Sequence, residues 1–313
     1  MKKITLLFAL LLGLSLYTFP QLSITATSTN YTISFDATVA GVNDGQYAGS
    51  GFTPTPAAGQ LDSDAWATTG MSDGASAFGD TKTTSNTDFT RGVSAGGVTT
   101  GGFYAFTVAT GNRAFGIQPG GTDWTPGTIT LRIINNTGST ITALDVDYNI
   151  VVLNNEDRSN SFNFSYSSDN SAYTAVASLD YNTPEAKDGS PSWQTVPRST
   201  TITGISIADG NYFYIRWFGD DVSGAGNRDE YGVDDIVLNA STGPVNLPPE
   251  ITNISNTPAL PTSSQTVAVQ ADVTDDVSVA SVNCKWGLAD GGPYSNTIGM
   301  TLSSGDTYVT NSN

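Results

Sequence analysis

The sequence predicts an all-β fold, and three observations carry that expectation. From Asn30 onward, runs of five to ten residues alternate apolar and polar side chains and are separated by clusters of Gly, Asn, Asp and Ser, the pattern of half-buried antiparallel strands joined by turns. The chain holds 43 Thr and 33 Ser, and 25 of its 29 acids are Asp, residues that suit strands and turns better than helix interiors. No stretch carries apolar residues at helical spacing over a convincing length. At 313 residues there is room for about two domains.

Taken in order, the first element is a leader. Lys2 and Lys3 precede an uncharged apolar run over residues 4–16, which reads as a secretory signal peptide assigned to residues 1–26, with cleavage near Thr18, Gln21 or Ala26 open. The run is shorter than the ~20 residues a membrane span requires, so no membrane insertion of the mature chain is expected. Residues 128–134 and 141–152 are the clearest strands, and 135–139 between them offers Asn and Gly for a hairpin turn. Within the second, Leu144, Val146, Tyr148 and Ile150 share one face, while Asp145, Asp147 and Asn149 share the other. Residues 161–166 place Phe162, Phe164 and Tyr166 together. The turn at 167–173, leading into a strand at 173–177, resembles an Asp-box hairpin in which Asp169 caps its own backbone turn. Over 211–218, Phe213, Ile215 and Trp217 face opposite to Tyr212, Tyr214 and Arg216. Residues 231–238 supply the last strand of the first domain. A proline-rich linker at 243–250 ends it. Short alternating runs follow at 251–254, 266–273, 279–286 and 297–302.

Charge and composition exclude several functions. The 12 basic residues against 29 acidic ones give a net charge of -17, or -19 once the two leader lysines are removed. Such a surface repels phosphate backbones, so no nucleic-acid partner is expected. There is no histidine, which excludes Ser-His-Asp and Cys-His catalysis and every His-ligated metal within the chain. With Cys284 alone, no intramolecular disulfide can form, and an exported chain of this kind must rely on its core.

The residues Ile33-Ser34-Phe35-Asp36, Ala65-Trp66 and Tyr231-Gly232-Val233-Asp234-Asp235-Ile236-Val237-Leu238 resemble the opening and closing of secreted bacterial jelly-roll modules of the MAM and choice-of-anchor type. The resemblance implies a jelly-roll β-sandwich over residues 27–242, of the kind found in large exported surface proteins. Residues 251–313 resemble the start of an immunoglobulin-like or fibronectin-like β-sandwich. A complete one takes about 100 residues, and 64 remain from Glu250, so the expectation is a partial module within a fragment of a longer protein.

In such jelly rolls the first and last strands lie side by side, and the resemblance thereby implies that Asp36 approaches Asp234 and Asp235. Carboxylates converging with backbone carbonyls suit a structural Ca²⁺; the alternative is that these acids cap a turn or face solvent. The acidic loop at 219–230 could hold a second cation, form a rim for a glycan, or be a solvated loop with an Arg228 ion pair. Trp66, Trp124, Trp193 and Tyr181 fall in or near loop regions, where flat rings stack on sugars, though the same rings could fill the space between sheets. Trp217, within a strand, reads as core. For a glycosidase, the least unfavourable carboxylate pair is Glu230 with Asp220.

Together these features point to a non-catalytic secreted or cell-surface module for adhesion or carbohydrate binding, stabilised by calcium, whose partner is an extracellular glycan or surface; its oligomeric state is left open. The alternative is an accessory N-terminal region of an exported hydrolase, a nuclease, protease or glycanase, whose catalytic domain lies beyond residue 313.

Overall fold

A computed structural model of the chain describes residues 21–39, 41–242, 249–275, 278–287 and 293–310. The described residues are all-β, with the short 3₁₀ turn Ala177–Leu179 as their one helical element. They form two compact units, Met1–Thr242 and Gly243–Asn313. No helix among them is long and apolar enough to cross a membrane.

The first unit is built on two sheets. One has nine strands, running in order Thr174–Ala175, Arg158–Ser167, Tyr212–Gly219, Gly127–Asn135, Trp66–Met71 and Gly74–Ser76, with three short strands attached at its sides. The other has seven, in order Gln194–Ile207, Ile141–Leu153, Glu230–Ser241, Asn112–Gln118, Gly102–Ala109 and Val93–Ser94, with Asn30–Ile33 also paired to Glu230–Ser241. Strand alternation decides which side chains lie between the layers. Leu144, Val146, Tyr148 and Ile150 from the seven-stranded sheet join Phe162, Phe164, Phe213, Ile215 and Trp217 from the other in one buried cluster. Rings interlock across the gap: Tyr148 meets Trp217 edge-on at 5.4 Å, and Phe162 meets Tyr231 at 5.3 Å. Such edge-to-face pairs contribute about 0.5–1.5 kcal/mol each beyond area burial, in a chain whose single cysteine allows no intramolecular disulfide.

Two sequence expectations change. The strands at 128–134 and 141–152 are not a hairpin, because Gly127–Asn135 belongs to the nine-stranded sheet and Ile141–Leu153 to the seven-stranded one. Residues 135–139 instead carry the chain from one layer to the other. Buried Asn135 ties that crossing: its Nδ2 donates to the carbonyls of Ser139 and Ile207, both at 2.7 Å, and its Oδ1 accepts from the Thr137 backbone N–H at 3.0 Å. Turn residues specify a reversal, not which strand the chain pairs with afterwards.

The second change concerns the leader boundary. Leu22–Ile24 pairs in parallel with Ile133, Ile134 and Asn135, and Leu22 and Ile24 are buried, so the folded unit begins before residue 27. The remainder of the assigned leader, residues 1–20, lies outside the described residues.

The turn at 167–173 behaves as an Asp-capped turn. Asp169 Oδ1 accepts from the backbone N–H groups of Ser171 and Ala172 at 2.8 and 2.9 Å and from Ser167 Oγ at 2.8 Å. These bonds favour the ionised carboxyl and hold its pKa below the ordinary value. The strand that follows shrinks to Thr174–Ala175.

The described residues of the second unit form a five-stranded antiparallel sheet in the order Glu250–Thr257, Ala268–Thr274, Thr307–Thr310, Asn296–Ser304 and Val282–Trp286. Ala271 and Val273 are buried, and Cys284 is free and half-buried. Most of the linker, residues 243–248, lies outside the described residues.

Burial of an aliphatic side chain contributes about 1.5–3 kcal/mol, so a chain starting at Thr27 should unfold at lower urea than one starting at Gln21, by about 3 kcal/mol or more in stability. Equal midpoints would remove Leu22–Ile24 from the core.

Candidate functional site

The strand Glu230–Ser241 brings the acidic residues together. One of its edges pairs along its length with Ile141–Leu153. The other pairs with Asn112–Gln118 over Tyr231, Gly232 and Val233, then with Asn30–Ile33 over Ile236 to Asn239. The change of partner falls at Asp234 and Asp235, where the register against Ile141–Leu153 slips between Asp147 and Asn149 and Asp235 adopts φ 48°. An extra residue of this kind is a β-bulge, which re-aims side chains.

The bulge leaves Asp234 buried and Asp235 partly exposed. The Asp235 backbone N–H donates to Asp234 Oδ1 at 2.9 Å, and Asn149 Nδ2 donates to Asp235 Oδ2 at 3.1 Å. Asp36 follows Phe35, itself at φ 56°, and its Oδ1 accepts from the Arg113 backbone N–H at 2.6 Å. Burial pushes the Asp234 carboxyl up to about 8, with the charges of Asp235 and then Asp36 adding to the effect against hydrogen bonds from the Asp235 backbone and Asn112. Asn30–Ile33, the second strand, is thus the neighbour of the unit's last strand, whereas the first, Leu22–Ile24, lies in the other sheet, and the three acids are close enough to interact. Their chemistry is an oxygen-only donor set for a hard cation, to which the buried, unpartnered Oδ1 of Asn112 adds an amide oxygen. Each carboxyl already accepts at least one protein hydrogen bond. Among the described residues no three acid or thiol side chains are gathered into a group that could enclose a metal ion.

The four aromatic residues read as sugar platforms divide into two pairs. Trp66 and Trp124 are fully buried, which corrects that reading, because neither has a face to offer. Trp66 sits in a strand against Phe35 and Phe115, with ring centroids at 6.0 and 5.5 Å. Trp124 does lie in a loop, at φ 62°, but its ring turns inward and Nε1 donates to the Tyr231 hydroxyl at 2.6 Å. Gly127 and Gly219 make that possible, since a Cβ at either would collide with the indole. Trp193 and Tyr181 are half-buried. Trp193 Nε1 donates to the Ala95 carbonyl at 2.9 Å while its ring leans on Phe106 at 5.0 Å, and Tyr181 carries the Arg198 guanidinium at 5.3 Å from its ring centre.

In the acidic loop, Arg228 grips Asp221 through two bonds of 2.6 and 2.7 Å, and Arg158 reaches the same carboxylate at 2.7 Å. Glu230 is fully buried and accepts from the Val98 backbone N–H at 2.7 Å, so it is closed to a substrate and cannot serve with Asp220 as an acid–base pair.

A site unmarked in the sequence reading lies on the outer face of the nine-stranded sheet. Cross-strand register sets Arg216 opposite Thr130 on one side and Ser165 on the other, and Thr128 opposite Thr69. Arg216, Thr130, Thr128 and Thr69, with Phe78 and Asn170, line a cleft of about 200 Å³. Arg216 Nε donates to Thr130 Oγ1 at 3.0 Å and Nη2 to Asn170 Oδ1 at 3.4 Å, while the guanidinium lies 3.5 Å from the Tyr173 ring centre. The Asp169-capped turn positions both neighbours, and the Tyr173 hydroxyl donates to Asn170 Oδ1 at 2.6 Å. Farther along the face, Arg132 lies over Phe78 at 4.4 Å and Tyr212 at 4.7 Å. The alternation of Tyr212, Tyr214 and Arg216 signalled an outward face, but the Thr and Asn partners come from remote strands that no local pattern joins.

No protein-family model matches the chain, and no curated protein matches it, so its own geometry carries the functional argument.

Proposed function

We propose that the first unit is a non-catalytic carbohydrate-binding module of a secreted or surface-attached protein, with its sugar site in the outer-face cleft of the nine-stranded sheet. The observation that carries this reading is the cleft's lining: a ring at Phe78, an amide at Asn170, hydroxyls at Thr69, Thr128 and Thr130, and the Arg216 guanidinium. Sugars present apolar C–H faces and rows of hydroxyls, so a site pairing an aromatic surface with fixed polar groups matches both. The side chains are held by strands and by a capped turn, which limits the ordering cost of binding. The lysine-led apolar leader supports export, and the buried state of Glu230 favours binding over hydrolysis.

Calcium at Asp36, Asp234 and Asp235, with Asn112, belongs to the same proposal. A bound cation would neutralise the repulsion that burial intensifies around Asp234 and would fasten the end of Asn30–Ile33 to Glu230–Ser241.

The sugar site is tested by polysaccharide pull-down and titration on the full chain. Phe78→Ala and Arg216→Ala should each weaken binding about tenfold or more, whereas Trp193→Ala should leave it unchanged. Loss confined to Trp193→Ala would move the site.

Calcium is tested by melting temperature with and without chelator. At about 100-fold excess over Kd, Ca²⁺ should raise Tm by roughly 5–10 °C, and Asp234→Asn should abolish the rise. No shift at saturating Ca²⁺ would remove the ion from the account.

Without metal, pH acts in a defined direction. A carboxyl whose folded pKa is raised binds its proton more tightly in the native state, so its stabilising contribution is present below the unfolded value near 4, is lost as pH climbs to about 8, and is level above. Asp62, pushed up to about 8, and Asp229, to about 6, act with the same sign. Asp234→Asn should therefore flatten the decline between pH 4 and 8 without abolishing it, as measured by urea unfolding across that range; an unchanged slope would contradict a buried protonated Asp234.

A further inference from the structure

We infer that the cleft selects a sugar carrying a single carboxylate, held by the open end of the Arg216 guanidinium. This rests on the carbohydrate reading above and adds the chemical class of the ligand.

Among the described residues Arg216 shares the lack of a counter-ion with Lys82, Arg113, Arg198 and Lys285, but Arg113 and Arg198 bond backbone carbonyls and Arg216 is the one of the five that lines the cleft. In a chain with 29 acids and 12 basic residues, carboxylates are plentiful, and Arg91, Arg132, Arg158, Lys187 and Arg228 each have one within ion-pairing reach. Among the described residues none stands within that reach of Arg216, which bonds only to two neutral oxygens, on Thr130 and Asn170. A partly desolvated cation without an acid partner is costly, and an anion arriving with its ligand offsets that cost.

Geometry narrows the anion. Nε and one N–H of Nη2 are committed to Thr130 and Asn170, and one face of the group is covered by Tyr173. The far edge, carrying Nη1 and the remaining Nη2 hydrogen, presents two roughly parallel N–H groups, and a planar carboxylate accepts from such a fork in bidentate fashion. Beside it, the Thr69 and Thr128 hydroxyls, 2.7 Å apart, are placed to read the hydroxyls of the same ring, and Phe78 offers an apolar surface.

Size and charge then limit the ligand to one acidic ring. A cleft of about 200 Å³ falls below the ~300 Å³ lower bound for drug-sized ligands. A polyuronide would bring many negative charges to a chain of net charge -17, whose repulsion is screened only beyond about 8 Å at physiological salt. One open cation in an acidic surround fits an acidic sugar presented singly, such as a terminal residue on a neutral glycan.

The test is a ligand-observed NMR titration of the full chain with methyl glucuronide, its methyl ester and methyl glucoside, and with the methyl glycoside of N-acetylneuraminic acid and its ester. The ester keeps the ring and hydroxyls and removes only the charge. The expected result is that at least one acid binds about tenfold or more tightly than its own ester, that added salt weakens the acid and leaves the ester unaffected, and that Arg216→Gln brings the two together. Which acid shows the preference separates a uronic from a sialic ligand. Esters binding as well as their acids would overturn the inference while leaving the carbohydrate reading intact. Binding of none of these sugars, with pull-down equally negative, would overturn both. The acid–ester comparison uses the unaltered protein, so it stands even if the Arg216 variant fails to fold.

Discussion

The first unit depends on one strand serving two partners on the same edge. Glu230–Ser241 buries Tyr231 and Val233, then Ile236, Leu238 and Ala240. That sequence of inward residues breaks phase between Val233 and Ile236. In a regular strand a one-residue slip sends every later side chain to the wrong face. The bulge at Asp234 and Asp235 absorbs the extra residue, so both halves point their apolar side chains inward while the edge passes from Asn112–Gln118 to Asn30–Ile33. Closing the fold this way joins the start of the module to its end and confines two consecutive acids at the junction.

The aromatic interior follows from that closure. Phe35, delivered by the strand Asn30–Ile33, meets Tyr47, Trp66 and Phe115 with ring centroids 5.8–6.0 Å apart, and the same network continues through Phe103 to Trp124, at 6.0 Å. Because the rings are spent filling the space between sheets, the proposed recognition falls to what the sheets present outward. On the nine-stranded sheet this is a surface of arginines laid on rings, with Arg216 on Tyr173 and Arg132 between Phe78 and Tyr212. Guanidinium groups held this way lose little freedom when they bind.

The all-β class and much of the strand inventory were legible because period-two alternation is a local signal. Phe213, Ile215 and Trp217 are buried and Tyr212, Tyr214 and Arg216 face the other way, as their spacing required. The Asp169 turn was readable for the same reason, since its bonds close within a few residues. Pairing was less legible: the residues at 135–139 specify a reversal equally well for a hairpin or a crossing between layers. Burial of loop residues was not legible, and Trp124 shows why. Its position outside a strand implied exposure, whereas Gly127 and Gly219, remote from each other in sequence, clear the space that admits the indole. The outer-face cleft draws on five separated segments, so composition and spacing could supply its residue types without gathering them.

The account stands on the claim that ligand meets the outer face at Arg216. The most direct measurement follows the arginine Nε–Hε NMR signals while an acidic monosaccharide glycoside is added. The account predicts that the Arg216 signal moves with saturation, accompanied by the backbone signals of Thr130 and Asn170. Movement confined to the surroundings of Trp193 and Tyr181, with Arg216 unchanged as ligand binds, would contradict it.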